Sequence, residues 1–178
     1  MRLKRKVQKY TQARDSDDCG PTCIRMALNS YLPQGGKLSK NNLPGGRKTN
    51  AKMKQIVREK GFYFEEISWK SKEESLQFMR KSVRENKPII LSCNADFKHY
   101  NRDKHFIILI GIDENDDGYI YVKDPYPEKP EKIEIKSFLR NNQPISWGNS
   151  RWGIAVFRTG LTYRQARGGK RERSGLHT

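Results

Sequence analysis

Residues 105–112, HFIILIGI, form an unbroken apolar run behind a single histidine. A strand with one wet face alternates apolar and polar residues, because successive side chains point to opposite sides of the sheet. A run without alternation predicts a strand buried on both faces, and therefore a core built around it. Its neighbours also read as strands. PIILSC at 88–93 is short, apolar and β-branched; ENDDG at 114–118 is a turn, and YIYVKD at 119–124 returns as the antiparallel partner. KIEIK at 132–136 alternates with period two, and WGIAVF at 152–157 is the last strand.

The first half of the chain has helical spacing instead. From Cys19 the sequence CGPTCIRMALNSYL places Pro21 in a first turn, where no backbone donor is needed. Cys23, Met26, Ala27 and Tyr31 then share a face that Ile24 and Leu28 widen, which marks a central helix. Residues 33–48 hold Pro33, Pro44 and two Gly-Gly pairs and predict an irregular loop. A second helix is expected from about Ala51 to Lys60, with Asn50 before it and Gly61 ending it. FYFEEI at 62–67 reads as a strand, and the Ser71/Glu74 capping box opens a helix to about Glu85. Helices first and an antiparallel sheet after them predict an α+β fold with a helix packed on the sheet.

The 178 residues suit one domain. The formal net charge is +16, and much of it sits at the ends. Residues 1–14 carry six Lys or Arg, and residues 158–178 carry six against Glu172. The expected organisation is a basic N-terminal arm at 1–14, one folded domain at 15–158 and a flexible basic tail at 159–178, the arms being solvated. Such arms could touch nucleic acid, yet no recognised motif accompanies them and aromatics are not interleaved with the charge. No apolar run reaches the length of a membrane span, and MRLKRKVQKY lacks the apolar region of a signal peptide. The chain reads as cytoplasmic, or as delivered into a target cytoplasm by a route without a signal peptide. Cys19, Cys23 and Cys93 are too few for a disulfide framework and are expected to be reduced thiols. They form no second pair for a structural zinc site, so no metal or other cofactor is expected.

Cysteine hydrolysis needs a thiolate, an imidazole to take its proton, a group to orient the ring and a donor for the oxyanion. Cys19 lies where a helix begins, a position that favours negative charge. Gly20 beside it would let a substrate carbonyl approach the backbone. His105 heads the most apolar strand. His99, in the polar loop HYNRDK, is the rival base, and His177 lies near the chain end. If 105–112 and 119–124 pair as a hairpin, Asp124 falls near His105; the competing reading is a plain Asp-Pro turn. Gln12, seven residues before Cys19, is a candidate donor to the oxyanion. Cys23 and Cys93 read as core, and Trp147 and Trp152 as core or cleft wall.

Gln12, then DCGPTC opening a helix, then KHFIILIGID, then VKDPYP, resembles the papain-like cysteine peptidases. Within them the likeness is to the bacteriocin-processing, double-glycine leader peptidases and their free-standing relatives. It spans residues 12–127, and the gap from Gln12 to Cys19 is one residue longer than the usual papain spacing. The resemblance implies a papain-like fold with Cys19 as nucleophile, His105 as base, Asp124 as orienter and Gln12 as oxyanion donor. It implies cleavage of a protein or leader peptide beside glycine through a thioester. Maturation of a secreted peptide is one setting; a bacterial effector toxin with an immunity protein as partner is another. An acyltransferase or glutamine deamidase would use the same Cys-His-Asp site, and a non-catalytic basic binding module would use none of it. Gly168-Gly169, in the basic stretch QARGGKRER, is either a site of self-cleavage or flexible linker.

Overall fold

The computed structural model describes residues 1–13, 16–46, 48–68, 71–94, 104–126, 131–141 and 152–159. His99, Trp147, the Gly168-Gly169 pair and His177 lie outside the described residues. The elements follow in the order α1 (Cys19–Asn29), α2 (Asn50–Glu59), β1 (Tyr63–Ser68), α3 (Lys72–Arg84), β2 (Ile89–Asn94), β3 (Lys104–Ile112), β4 (Tyr119–Lys123), β5 (Lys132–Glu134), α4 (Ile135–Asn141) and β6 (Trp152–Phe157). Two short 3-10 turns, Gln34–Gly36 and Lys40–Asn42, occupy the loop after α1.

The six strands form one antiparallel sheet in the order β1-β6-β2-β3-β4-β5. Helices cover both of its faces, which is why β3 carries no polar alternation. Phe106 and Ile108 pack with α1 and α2, while Ile107, Leu109 and Ile112 pack with α3 and α4. Ser71 caps α3 by accepting from Glu74 N, and the Glu74 carboxylate reaches back to Ser71 N. The α2 cap is Thr49, whose hydroxyl accepts from Lys52 N, so Asn50 is already helical.

A β-bulge interrupts the β3–β4 ladder. The β3–β4 register pairs Ile112 with Ile120 and Gly111 with Tyr121, then slips so that Leu109 faces Val122 and Ile108 faces Lys123. Ile110 is the extra residue.

Two expectations change. KIEIK is a strand only to Glu134; from Ile135 the chain is helical. Ile135 and Phe138 are fully buried three residues apart, a helical spacing that overrides the short period-two pattern. Residues 1–13 are not a solvated arm. The Met1 ammonium donates to Ile112 O at 2.7 Å, Leu3 N to Ile110 O at 2.9 Å and Ile112 N to Met1 O at 3.0 Å. These bonds serve the end of β3 that β2, which pairs only as far as Leu109, leaves open. Arg2 and Arg5 stack on Tyr121 and Tyr31, with the guanidinium carbons 3.3 and 3.6 Å from the ring centroids. Their guanidinium groups lie against aromatic faces.

Candidate active site

The Cys19 thiol sits on the first residue of α1. Pro21, at the third position, needs no amide partner there, so it helps fix the helix start. Asp18 is the N-cap residue, but its carboxylate turns away from its own helix and makes no side-chain cap. Oδ1 accepts from Gly46 N at 2.7 Å, and Oδ2 pairs with Lys40 Nζ at 3.2 Å. The Gly46 hydrogen bond, aided by Lys40, outweighs burial and holds the Asp18 carboxyl below its ordinary value. Among the described residues the first-turn N–H groups beside the thiol are thus left without a side-chain acceptor, as an anion-binding helix start requires.

Gly20 is buried rather than open to a substrate. A Cβ there would come within 2.8 Å of Met53 Sδ and 3.4 Å of Phe106. Its role is the close seating of α1 against α2 and β3. One turn on, Cys23 donates its thiol hydrogen to Phe106 O at 3.2 Å. Burial pushes the Cys23 thiol well above the ordinary range, so it is a core group.

His105 and Asp124 are 2% and 1% exposed, values found for ionisable residues only when they are paired. His105 Nε2 and Asp124 Oδ1 are 2.9 Å apart. The Cys19 side chain lies near enough to the ring to raise its titration. Burial alone would lower the imidazole. The hydrogen bond and charge of Asp124, aided by the nearby Cys19 side chain, more than offset it and push the ring up from 6.5 to about 9. Asp124 Oδ1 also accepts from Tyr126 N at 2.8 Å, so the Asp-Pro turn and the carboxylate that grips the imidazole are one structure.

Gln12 is 6% exposed and joins the site from the Asp124 side. Its backbone N donates to Pro125 O at 3.1 Å and its Nε2 to Ser16 O at 2.7 Å. His105 and Asp124 therefore meet directly with Cys19 near the ring, while Gln12 is tied to the residue after Asp124. Tyr126 is the site residue that sequence reading missed. Its ring stacks on His105 with centroids 4.9 Å apart and planes at 29°. The signal lay in the phrase DPYP, where an aromatic follows the carboxylate by two residues. Trp152, expected in the core or cleft wall, is buried and donates Nε1–H to Glu66 Oε1 at 2.6 Å. Among the described residues no group of three or more His, Cys, Asp or Glu side chains is arranged to hold a metal ion. No helix among them is long and apolar enough to cross a membrane.

A thiol at a helix start, shared by an imidazole that a buried carboxylate holds from behind, can attack a carbonyl and pass its proton to the ring. The same arrangement of fold is found elsewhere. A putative C39-like peptidase from Bacillus anthracis superposes with a TM-score of 0.58 at 16% identity, over 88% of this chain and 97% of that one. The peptidase domain of Streptococcus ComA, a bifunctional ABC transporter of a quorum-sensing pathway, gives 0.57 at 18% identity, over 85% and 97%. These likenesses establish the papain-like α+β fold. A comparison with curated proteins finds no match. The sequence model of the Peptidase_C39 like family matches residues 4–151, a span that holds Cys19, His105 and Asp124, and the chain is accordingly a cysteine peptidase belonging to that family.

Proposed function

We propose that the chain cleaves a protein or leader peptide after a Gly-Gly pair, with Cys19, His105 and Asp124 as its catalytic triad. The observation that carries this reading is the buried His105 ring, paired through Nε2 with Asp124 Oδ1 at 2.9 Å and near enough to Cys19 to feel its side chain. Cys19 Sγ attacks the scissile carbonyl and its proton passes to His105. The imidazolium then protonates the leaving amine as the C–N bond breaks, leaving a thioester. Water, deprotonated by the same ring, hydrolyses the thioester and restores the thiol. Asp124 holds the ring's orientation and stabilises its charged form. The developing oxyanion is met by the Cys19 backbone N–H, which the Asp18 side chain leaves uncapped, and by the Gln12 amide, one of whose two hydrogens is taken by Ser16 O.

The Gly-Gly preference comes from the resemblance of DCGPTC and KHFIILIGID to the double-glycine leader peptidases. Its physical basis would be a cleft whose walls press on the substrate backbone, where a Cβ does not fit. The test is to identify new protein N-termini generated by the protein and absent with Cys19→Ala. The expected result is a set of cuts following Gly-Gly. Cuts with no glycine before them would remove the specificity, and identical N-termini from both proteins would remove the peptidase mechanism. Product masses separate hydrolysis from acyl transfer or from the one-dalton change of deamidation.

A further inference from the structure

Along the first two turns of α1 lies a pocket of about 180 Å³ whose walls include Thr11, Asp18, Pro21, Thr22, Arg25 and Lys40. Its chemistry is donor-rich. Arg25 is fixed at two points: Nε donates to Leu38 O at 3.0 Å, and the guanidinium lies 3.8 Å from the centroid of Tyr10. Among the described residues, its terminal nitrogens meet no hydrogen-bond acceptor. A guanidinium held this way presents a ready fork for a carboxylate at little cost in side-chain entropy. The hydroxyls of Thr11 and Thr22 add donors. The one acid in the wall, Asp18, is already matched by Lys40 and Gly46 N. The pocket therefore keeps a net positive charge from Arg25, and Asp18 in its wall disfavours a dianion such as a phosphate.

Resting on the peptidase reading, we propose that this pocket is a substrate subsite for an acidic side chain, Asp or Glu, with Arg25 as the residue that selects it. Arg25 is six residues along α1 from Cys19, about 9 Å at the helical rise. An extended peptide advances about 3.3 Å per residue. The acid belongs about three residues from the scissile bond.

The test uses Cys19→Ala protein and acetylated decapeptides with a central Gly-Gly pair. One Glu is moved through every other position, and each peptide has a Gln twin. Binding is followed by amide chemical shifts. The expected result is one position, near three residues from the pair, where the Glu peptide binds at least fivefold tighter than its twin and shifts the amides of Thr11, Thr22 and Arg25. Arg25→Gln removes that difference, and Arg25→Lys, which keeps a cation, retains part of it. Twins that bind alike at every position, a difference that survives Arg25→Gln, or no binding at millimolar peptide would each overturn the proposal. Cleavage of the same peptides by protein with Cys19 intact reports separately on the peptidase reading, so the two fail independently.

Discussion

His105 carries two partners on one buried ring, and that sharing sets what substitution should do. Removing the Asp124 charge takes away the ring's strongest support while burial remains. Asp124→Asn is expected to lower the His105 titration from about 9 and reduce kcat by about a hundredfold or more. A ring titration followed by NMR, together with peptide turnover, checks both halves; an unmoved titration would deny Asp124 its role. Tyr126 covers the imidazole at 4.9 Å and ties its own N–H to Asp124. Tyr126→Phe keeps the stack and should keep the pH–rate profile. Tyr126→Ala admits water to the ring and should shift the profile as kcat falls, with KM little changed. A profile identical in both variants would reduce Tyr126 to packing. The residues that meet here were legible in the sequence to different degrees. Cys19 and His105 head a helix and a strand, so their elements announce their positions. Asp124 needed the hairpin pairing as well. Tyr126 acts through a stacking distance that no spacing rule reveals, and Gly20 was misread because what presses on it comes from Met53 and Phe106, far off in sequence.

At the level of elements, β3 organises the molecule from both its ends. One end carries His105. The other carries the bulge at Ile110, against which residues 1–3 dock. Gly111 sits under that docked segment, and a Cβ on it would fall 2.5 Å from Arg2 Cδ and 2.8 Å from Met1 O. Gly111→Ala should prise the segment away and lower stability by about 1–3 kcal/mol, read as a shift in urea midpoint. An unchanged midpoint would show that the docked segment adds nothing to the fold. Most strands were legible because turn residues bound them. The bulge was not, since one extra residue in an all-apolar run leaves no mark on hydropathy. KIEIK misled because three residues of alternation fit a strand, while Ile135 and Phe138 answer to the helix that follows.

For the whole molecule, the shared imidazole makes stability depend on pH in a definite direction. The folded His105 value, about 9, lies above its ordinary 6.5. The protonated ring therefore favours the folded state fully below pH 6.5, and that contribution is lost as pH rises through 9. Between pH 6 and 8.5 the loss is on the order of 2 kcal/mol. Above pH 9 the buried Cys23 thiol, raised by burial, adds an alkaline loss of its own, so the comparison stops short of it. Urea unfolding across that window should show the decline in the native protein and a flat response in His105→Gln; parallel curves would contradict the assignment. The basic composition gave a poor guide at this scale. Charge alone predicted a solvated N-terminal arm, whereas Asn86 accepts from Lys4 N and Arg5 N at 3.0 and 3.1 Å and binds the segment to the end of α3.

The most direct measurement of the account is covalent trapping. A peptidyl fluoromethyl ketone ending in Gly-Gly is added at neutral pH, and intact mass and peptide mapping locate the adduct. The account predicts a single adduct on Cys19, absent from His105→Ala and absent from the buried thiols of Cys23 and Cys93. An adduct on either of those thiols, equal labelling of His105→Ala, or no adduct at all would contradict it.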